Sequence, residues 1–325
     1  MQESRIRTRV RVIADQGEDI RSYELVDPNG NQLPPFEAGA HVDFHLSDGR
    51  VRQYSLCNDP NEHHRYVLAI QREPNGRGGS QAIFDQVRVN DIVTLSLPRN
   101  NFPLREEAMH HLMLAGGIGV TPMIAMVHQL SRAGTDFILH YCTRSPEKTA
   151  FREMLAPMAK NGRVVFHHDG GDPRRGLDIA GLLRKRRDGT HLYYCGPSGF
   201  MRAVESAVGH WPKETVHFEH FTPPVPTKVG SGETVVSGAA EFQIKLAKSG
   251  VVFDVPADKS IVQVLREHGV KVETSCESGL CGTCRTRYLE GIPDHRDFLL
   301  DDDEHRRDVL ICCARSKTLL LVLDL

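Results

Sequence analysis

Five cysteines crowd the last fifty residues of this 325-residue chain, and their spacing restricts what that region can be. Ser275-Cys276-Glu277-Ser278-Gly279-Leu280-Cys281-Gly282-Thr283-Cys284 has the form C-x4-C-x2-C, and Cys312-Cys313 follow far downstream. That is the plant-type [2Fe–2S] spacing. Each iron needs two thiolates in a tetrahedral field. One tight loop supplies three of the four, and a distant strand has to supply the last. Gly279 and Gly282 permit left-handed backbone, which turns amide N–H groups toward the sulfurs, and such bonds tune a cluster. A structural zinc site normally pairs two short C-x2-C units or recruits histidines. A disulfide framework suits small secreted domains rather than a chain of this size. On spacing alone, Cys312 and Cys313 both stay open as the fourth ligand.

The rest of the chain divides by rhythm. Residues 1–102 carry short alternating apolar segments (41–46, 66–70, 92–97) between turn signals such as Asp48-Gly49 and Asn75-Gly76, which predicts an antiparallel β-barrel or sandwich. Residues 103–110 read as a connector. From His111 onward, apolar runs at 112–115, 137–141, 164–167 and 192–195 alternate with helical stretches ending at Arg132, at 150–159 and at 199–208. This predicts a parallel α/β domain over 103–221. Residues 222–239, rich in Pro, Gly, Ser and Thr, read as a linker. A hairpin around Lys248-Ser249-Gly250, a helix capped by Ser260 and a final strand at 318–323 frame the cysteines in 240–325.

Two further constellations carry chemistry. Arg52-Gln53-Tyr54-Ser55 ends a barrel strand, and Asn75-Gly76-Arg77-Gly78-Gly79-Ser80 follows one strand later. An Arg for a phosphate, an aromatic along a ring system and a hydroxyl near the reactive N5 suit a flavin, and a Gly-Gly-Ser loop suits its phosphate. Each motif alone reads more readily as an ordinary strand and turn; together, upstream of a nucleotide-type domain and an iron–sulfur module, they favour the cofactor. Leu114-Ala115-Gly116-Gly117-Ile118-Gly119-Val120-Thr121-Pro122 reads as strand, glycine turn and helix start, the arrangement that receives a dinucleotide pyrophosphate. Tyr194-Cys195-Gly196-Pro197 adds a second strand end from the same sheet edge, and Thr143-Arg144 a third that faces the adenosine half. Cys195 reads either as a neighbour of the nicotinamide or as a small buried hydrophobe.

Composition excludes other classes. Lys+Arg of 40 against Asp+Glu of 42 leaves no basic surface for nucleic acid or an anionic membrane. The N-terminus lacks an apolar leader core and no run reaches a membrane span, so a cytoplasmic protein is expected. The paired histidines (His63-His64, His110-His111, His167-His168) and His217-x-x-His220 read as structural rather than metal-binding. Arg184-Lys185-Arg186-Arg187 reads as a solvated helix end or a nucleotide-phosphate contact. Asp301-Asp302-Asp303-Glu304 reads as a loop or helix cap, or as a patch steering a basic partner.

The motif order R-x-Y-S, G-x-G-x-T-P, C-G-P and C-x4-C-x2-C resembles the phthalate dioxygenase reductase family, which includes vanillate demethylase reductases, over nearly the whole chain. His217-Phe218-Glu219-His220-Phe221 and the closing Leu321-Val322-Leu323-Asp324-Leu325 also match. The resemblance implies a flavin barrel, a nucleotide domain and a C-terminal β-grasp ferredoxin. It implies FMN rather than FAD, NADH rather than NADPH, and Cys312 as the fourth ligand with Cys313 a buried neighbour. By the same analogy Phe221 lies against the flavin face, with Ser55 and Cys195 beside the reacting atoms. The implied activity is electron transfer from NADH through the flavin and the cluster to a Rieske non-haem iron oxygenase, by a reductase monomeric on its own. The competing readings are a similar reductase serving another acceptor, or a sensor using the cluster as a switch. The linker is longer than in the phthalate enzyme.

Overall fold

The computed structural model describes residues 5–222 and 241–325; apart from Thr222, the expected linker lies outside the described residues. The chain divides into two compact units, Met1–Phe221 and Thr222–Leu325.

The first unit opens with β1 (Arg5–Gly17) and β2 (Ile20–Val26). In β1 every second residue from Arg5 to Arg11 is arginine and faces water, so Thr8 and Val10 point inward. That two-residue period is what makes the segment a one-face-buried strand. With β3 (His41–His45), β4 (Val51–Ser55), β5 (Tyr66–Gln71) and β6 (Ile92–Ser96) it forms an antiparallel sheet of order β4-β3-β6-β1-β2-β5. The sheet edges meet where Leu56 bridges Leu68 and Cys57 N–H donates to the Val67 carbonyl at 2.8 Å, closing the barrel. One element departs from the sequence reading. The glycine turn at 75–80 runs straight into helix α1 (Gly79–Gln86), which buries Ala82, Ile83 and Phe84 against the barrel. Gly78 at φ 73° makes that entry possible.

The same unit continues with a parallel sheet. β7 (His110–Gly116), α2 (Thr121–Ala133), β8 (Asp136–Thr143), α3 (Arg152–Lys160), β9 (Val164–His168), α4 (Ile179–Leu183), β10 (Thr190–Cys195), α5 (Ser198–Ala207) and β11 (Val216–Glu219) alternate as expected. α3 starts later than the apolar pattern suggests, because Phe151 takes a left-handed conformation at its N-cap. The strand order is β11-β10-β7-β8-β9, all parallel. The chain reverses its direction of winding between β7 and β10, the switch point where ligands lodge in open parallel sheets. α2 is buried almost all round, from Thr121 to Val127 and again at Leu130. Its contacts run into the barrel core, so barrel and sheet share one continuous apolar cluster from Val10 to Cys195. The opposite sheet face buries Leu114, Leu192, Tyr194, Met201 and Trp211 under α4 and α5.

The second unit holds β12 (Phe242–Leu246), β13 (Val252–Val255), α6 (Ile261–Glu267), β14 (Arg285–Glu290), β15 (Pro293–Asp294), α7 (Asp302–His305), β16 (Asp308–Leu310), β17 (Arg315–Ser316) and β18 (Leu320–Leu323). A mixed sheet of order β13-β12-β18-β14-β16, with β12 and β18 parallel, carries α6 on one face, the β-grasp arrangement. Ser260 caps α6: its hydroxyl accepts from Gln263 N–H at 3.2 Å and the Gln263 side chain returns the bond at 2.7 Å. Asp301 caps α7 the same way with Glu304, so the acidic run is a helix cap. Among the described residues no helix is long and apolar enough to cross a membrane.

The switch point tolerates no side chain at one of its glycines. A Cβ on Gly119 would lie 2.3 Å from the Cys195 carbonyl oxygen, whereas one on Gly117 meets nothing within 4 Å and only strains a φ of +54°. Urea unfolding of the two alanine variants is therefore expected to separate them. Gly117→Ala should cost about 1 kcal/mol, and Gly119→Ala about 3 kcal/mol or more, because backbone has to move.

Candidate functional site

The cysteine loop between α6 and β14 is shaped by three left-handed residues, Glu277 (φ 48°), Gly279 (φ 75°) and Gly282 (φ 76°). Glycine spacing signals two of them; Glu277 carries no such signal. The four expected ligands are all buried and fall into two sulfur pairs. Cys276 donates to Cys281, which draws the Cys281 thiol down to about 6. Cys284 and Cys313 donate to Cys312, drawing it down to about 4, and the donors are pushed up. Leu280 N–H points at the Cys276 sulfur at 3.4 Å. Two soft pairs with a backbone donor fit the demand of two tetrahedral irons, two thiolates each. Cys313 lies beneath the loop, where a Cβ on Gly279 would come within 2.8 Å of its sulfur, and it also reaches the Leu310 carbonyl at 3.5 Å.

On the barrel, β4 presents Arg52, Gln53, Tyr54 and Ser55 beside the α1 entrance. The Arg52 guanidinium donates to the carbonyls of Val51 (2.8 Å) and Arg77 (2.9 Å), which fixes its plane against Gly79. A Cβ on Gly79 would sit 2.5 Å from Arg52 Nε, so this glycine makes room for the arginine. Ser80 Oγ accepts from Glu73 N–H at 3.0 Å and keeps its own hydrogen to donate. Gln53 Nε2 is buried with no partner. Leaving a buried amide N–H unpaired costs about 1–3 kcal/mol, and a flavin carbonyl would satisfy it. Tyr54 packs edge-on to Phe44 at 6.4 Å, and Ser55 is buried opposite His41 in the β3–β4 ladder.

At the sheet edge the glycines divide their work. Gly116 and Gly119 are crowded by Pro197, Phe200 and the Cys195–Gly196 backbone, so they serve close packing of the two strand ends. Gly117 alone opens onto free space. Thr121 Oγ1 donates to the Ile118 carbonyl at 3.0 Å, closing the single tight turn before α2. Thr143 is enclosed by Thr149 (2.8 Å) and His168 (2.9 Å), while Arg144 is exposed. Asp169 and Gly170 donate their amides to the carbonyls of Thr143 and Arg144, placing the 169–176 loop at this edge, a feature without sequence signal. Cys195 is fully buried and burial pushes its thiol well up, which keeps it a neutral thiol. Phe221 follows β11 and remains 40% exposed, so its ring offers a face.

The sequence reading missed Glu219. It ends β11 beside Cys195, and its Oε1 lies 3.8 Å from Nδ1 of His41. Burial raises its carboxyl to about 8 and lowers His41 to about 4. Ser55, His41, Glu219 and Cys195 thus form one continuous line across the seam between barrel and sheet.

Other clusters resolve as structure. Arg184–Arg187 follow α4 at the N-terminal sheet edge, where Arg187 meets Asp136, the first residue of β8, at 3.5 Å; that edge is opposite the switch point, so the run is no phosphate contact there. His191 pairs with His217 at 2.9 Å and His140 with His167 at 3.0 Å, as stacked imidazoles. His295, Asp297 and His305 lie together, with the Asp297 carboxylate 3.1 Å from His305 Nε2 and the two rings stacked at 4.0 Å.

The 2Fe-2S iron-sulfur cluster binding domain model matches residues 244–317, and the oxidoreductase NAD-binding domain model matches residues 113–206. The chain is 55% identical over 320 residues to the tert-butanol monooxygenase / tert-amyl alcohol desaturase reductase subunit of Aquincola tertiaricarbonis, covering 98% of this chain and 95% of that protein. It is 45% identical over 308 residues to phthalate dioxygenase reductase of Burkholderia cepacia, covering 94% and 93%. A solved phthalate dioxygenase reductase, described as a modular structure for electron transfer from pyridine nucleotides to [2Fe–2S], superposes with a TM-score of 0.75 at 43% identity, over 99% of this chain and 98% of that one. Fold and site together define a pyridine-nucleotide oxidoreductase with a [2Fe–2S] ferredoxin module. More narrowly, the chain belongs to the phthalate dioxygenase reductase family.

The raised Glu219 carboxyl has a stability consequence with a definite sign. The folded chain keeps this proton up to about pH 8, while the unfolded chain releases it near the ordinary 4.5. Taken alone, this carboxyl makes stability fall as pH rises from 4.5 to 8, by something on the order of 3–5 kcal/mol, whereas His41, lowered to about 4, acts in the opposite sense below 6.5. Denaturant titrations of wild type and Glu219→Gln across that window check it: the difference between their pH slopes should carry this sign and size.

Proposed function

We propose that this protein is the reductase component of a Rieske-type oxygenase system. It takes hydride from NADH, passes electrons through FMN to its [2Fe–2S] cluster, and delivers them singly to the oxygenase, working in the cytoplasm as a monomer. The observation that carries the reading is the Cys276/Cys281 and Cys284/Cys312 pairing, a donor set suited to one-electron exit, in a chain that also holds a seam built for a two-electron donor. A flavin joins the two because it accepts electrons in pairs and releases them one at a time.

The side chains have placement tasks. Cys276, Cys281, Cys284 and Cys312 would hold the cluster. Arg52, Gly78, Gly79 and Ser80 would hold the flavin phosphate, with Gln53, Tyr54 and Ser55 along the ring. The compact Gly78–Ser80 entrance, with Arg50 against Gly78 and Arg52 against Gly79, suits a single phosphate, which favours FMN. Gly116, Gly117, Gly119 and Thr121 form the turn that receives the dinucleotide, with Gly196 and Pro197 facing it and Thr143 and Arg144 shaping the adenosine end. Ser55, Cys195 and Phe221 line the place where nicotinamide and flavin meet. Neutral Cys195 and the closed core behind it exclude water there.

The ligand assignment predicts that Cys312→Ala loses the cluster and Cys313→Ala retains it, read as iron per chain and visible absorbance. For the reductase reading, anaerobic NADH titration of the purified holoprotein should bleach the flavin and raise a reduced-cluster EPR signal together. Flavin bleaching with an EPR-silent cluster would break the proposed route. No response at either centre would end the reductase reading.

A further inference from the structure

Two buried titratable side chains face each other where the barrel meets the nucleotide sheet. His41 belongs to β3, and its ladder partner on β4 is Ser55. Glu219 ends β11, and its ladder partner on β10 is Cys195. His41 Nδ1 and Glu219 Oε1 lie 3.8 Å apart, and both His41 ring nitrogens and Glu219 Oε2 are buried without a hydrogen-bond partner. Of the other groups around them, Asp43 on β3 and Arg99 beyond β6 neutralise each other through a 2.7 Å bond. Ser55 and the buried Cys195 thiol add no charge. An ion pair does not describe the contact. His41 takes a charge only below about pH 4 and Glu219 only above about pH 8, so the two charged ranges never overlap. A buried acid and a buried base, each unpaired, gain most by sharing a proton.

We propose that His41 is a positioning residue of the hydride-transfer site that acts through Glu219: acid and imidazole share one proton across the seam, which keeps the carboxyl aimed at the strand ends carrying Ser55 and Cys195. The Glu219 O–H donates to an imidazole nitrogen. Closing 3.8 Å to hydrogen-bond length takes a side-chain shift of about 1 Å. No electron moves and no covalent bond changes beyond the shared O–H. The nicotinamide therefore meets a neutral acid at physiological pH. When Glu219 ionises, His41 turns its N–H toward the anion, so the imidazole also sets the pH at which that happens. This rests on reading the seam as the place of hydride transfer.

The test is infrared spectroscopy of the oxidised holoprotein from pH 6 to 10. A carboxylic-acid carbonyl band, assigned by its loss in Glu219→Gln, should titrate near pH 8. In His41→Leu the anion loses its donor, and the midpoint should rise by about one pH unit or more. His41→Asn, whose amide still donates, should return it toward wild type. The alkaline limb of NADH-dependent flavin reduction should move in step. Should His41→Leu not fold, ring-15N NMR of His41 in the unmutated protein still decides: its nitrogen shifts should follow the same midpoint. Absence of a protonated acid at pH 7, an unmoved midpoint in folded His41→Leu, or flat His41 shifts across the range would each overturn the proposal. Neither spectroscopic readout needs NADH turnover. A protein that fails to oxidise NADH therefore overturns the proposed function, and the spectra still judge the pair.

Discussion

The first unit depends on one close approach: Gly119 against the carbonyl of Cys195, with Gly116 against Pro197. Backbones this near leave no space for a side chain, and they lock the ends of β7 and β10 together at the point where the sheet reverses direction. Everything a ligand would meet at that edge takes its position from this contact. The open face of Gly117, the buried Cys195 thiol and the last residue of β11 all follow from it. The glycines that look like a ligand-binding signature in sequence are divided in space, two for packing and one for access.

Barrel and sheet act as a single body because α2 is apolar on nearly every side. Met123 and Met126 belong to the same cluster as Phe44 and Leu56 of the barrel and Tyr193 of the sheet. Hydride transfer demands placement to a fraction of an ångström, and a shared close-packed core is the physical means of holding two cofactor sites in register. The ferredoxin unit keeps its own core, from Phe242 to Leu323. Its cluster loop takes shape from left-handed backbone and sulfur pairing.

Much of this is written plainly in the chain. Cysteine spacing, the glycine turn after an apolar run and the strand–helix alternation depend on local chemistry, so they survive in one dimension. Boundaries blurred where local conformation overrode pattern. Phe151 shortens α3 by going left-handed, and Gly78 starts a helix where the glycine pattern reads as a turn. Glu219 was invisible for another reason. In sequence it is an acid among histidines and phenylalanines, and nothing about it suggests a carboxyl that keeps its proton to about pH 8.

By itself, then, the sequence determined the class of each module and the residue types available to hold a cluster, a flavin phosphate and a dinucleotide, because those depend on short-range spacing. Only the tertiary structure decided which glycines serve packing, which thiols pair, that the Arg184–Arg187 run lies at the far edge from the switch point, and that His41 and Glu219 meet across the seam. Those outcomes depend on segments distant in sequence coming within a few ångströms. Burial and electrostatics follow from that proximity, and no single segment encodes them.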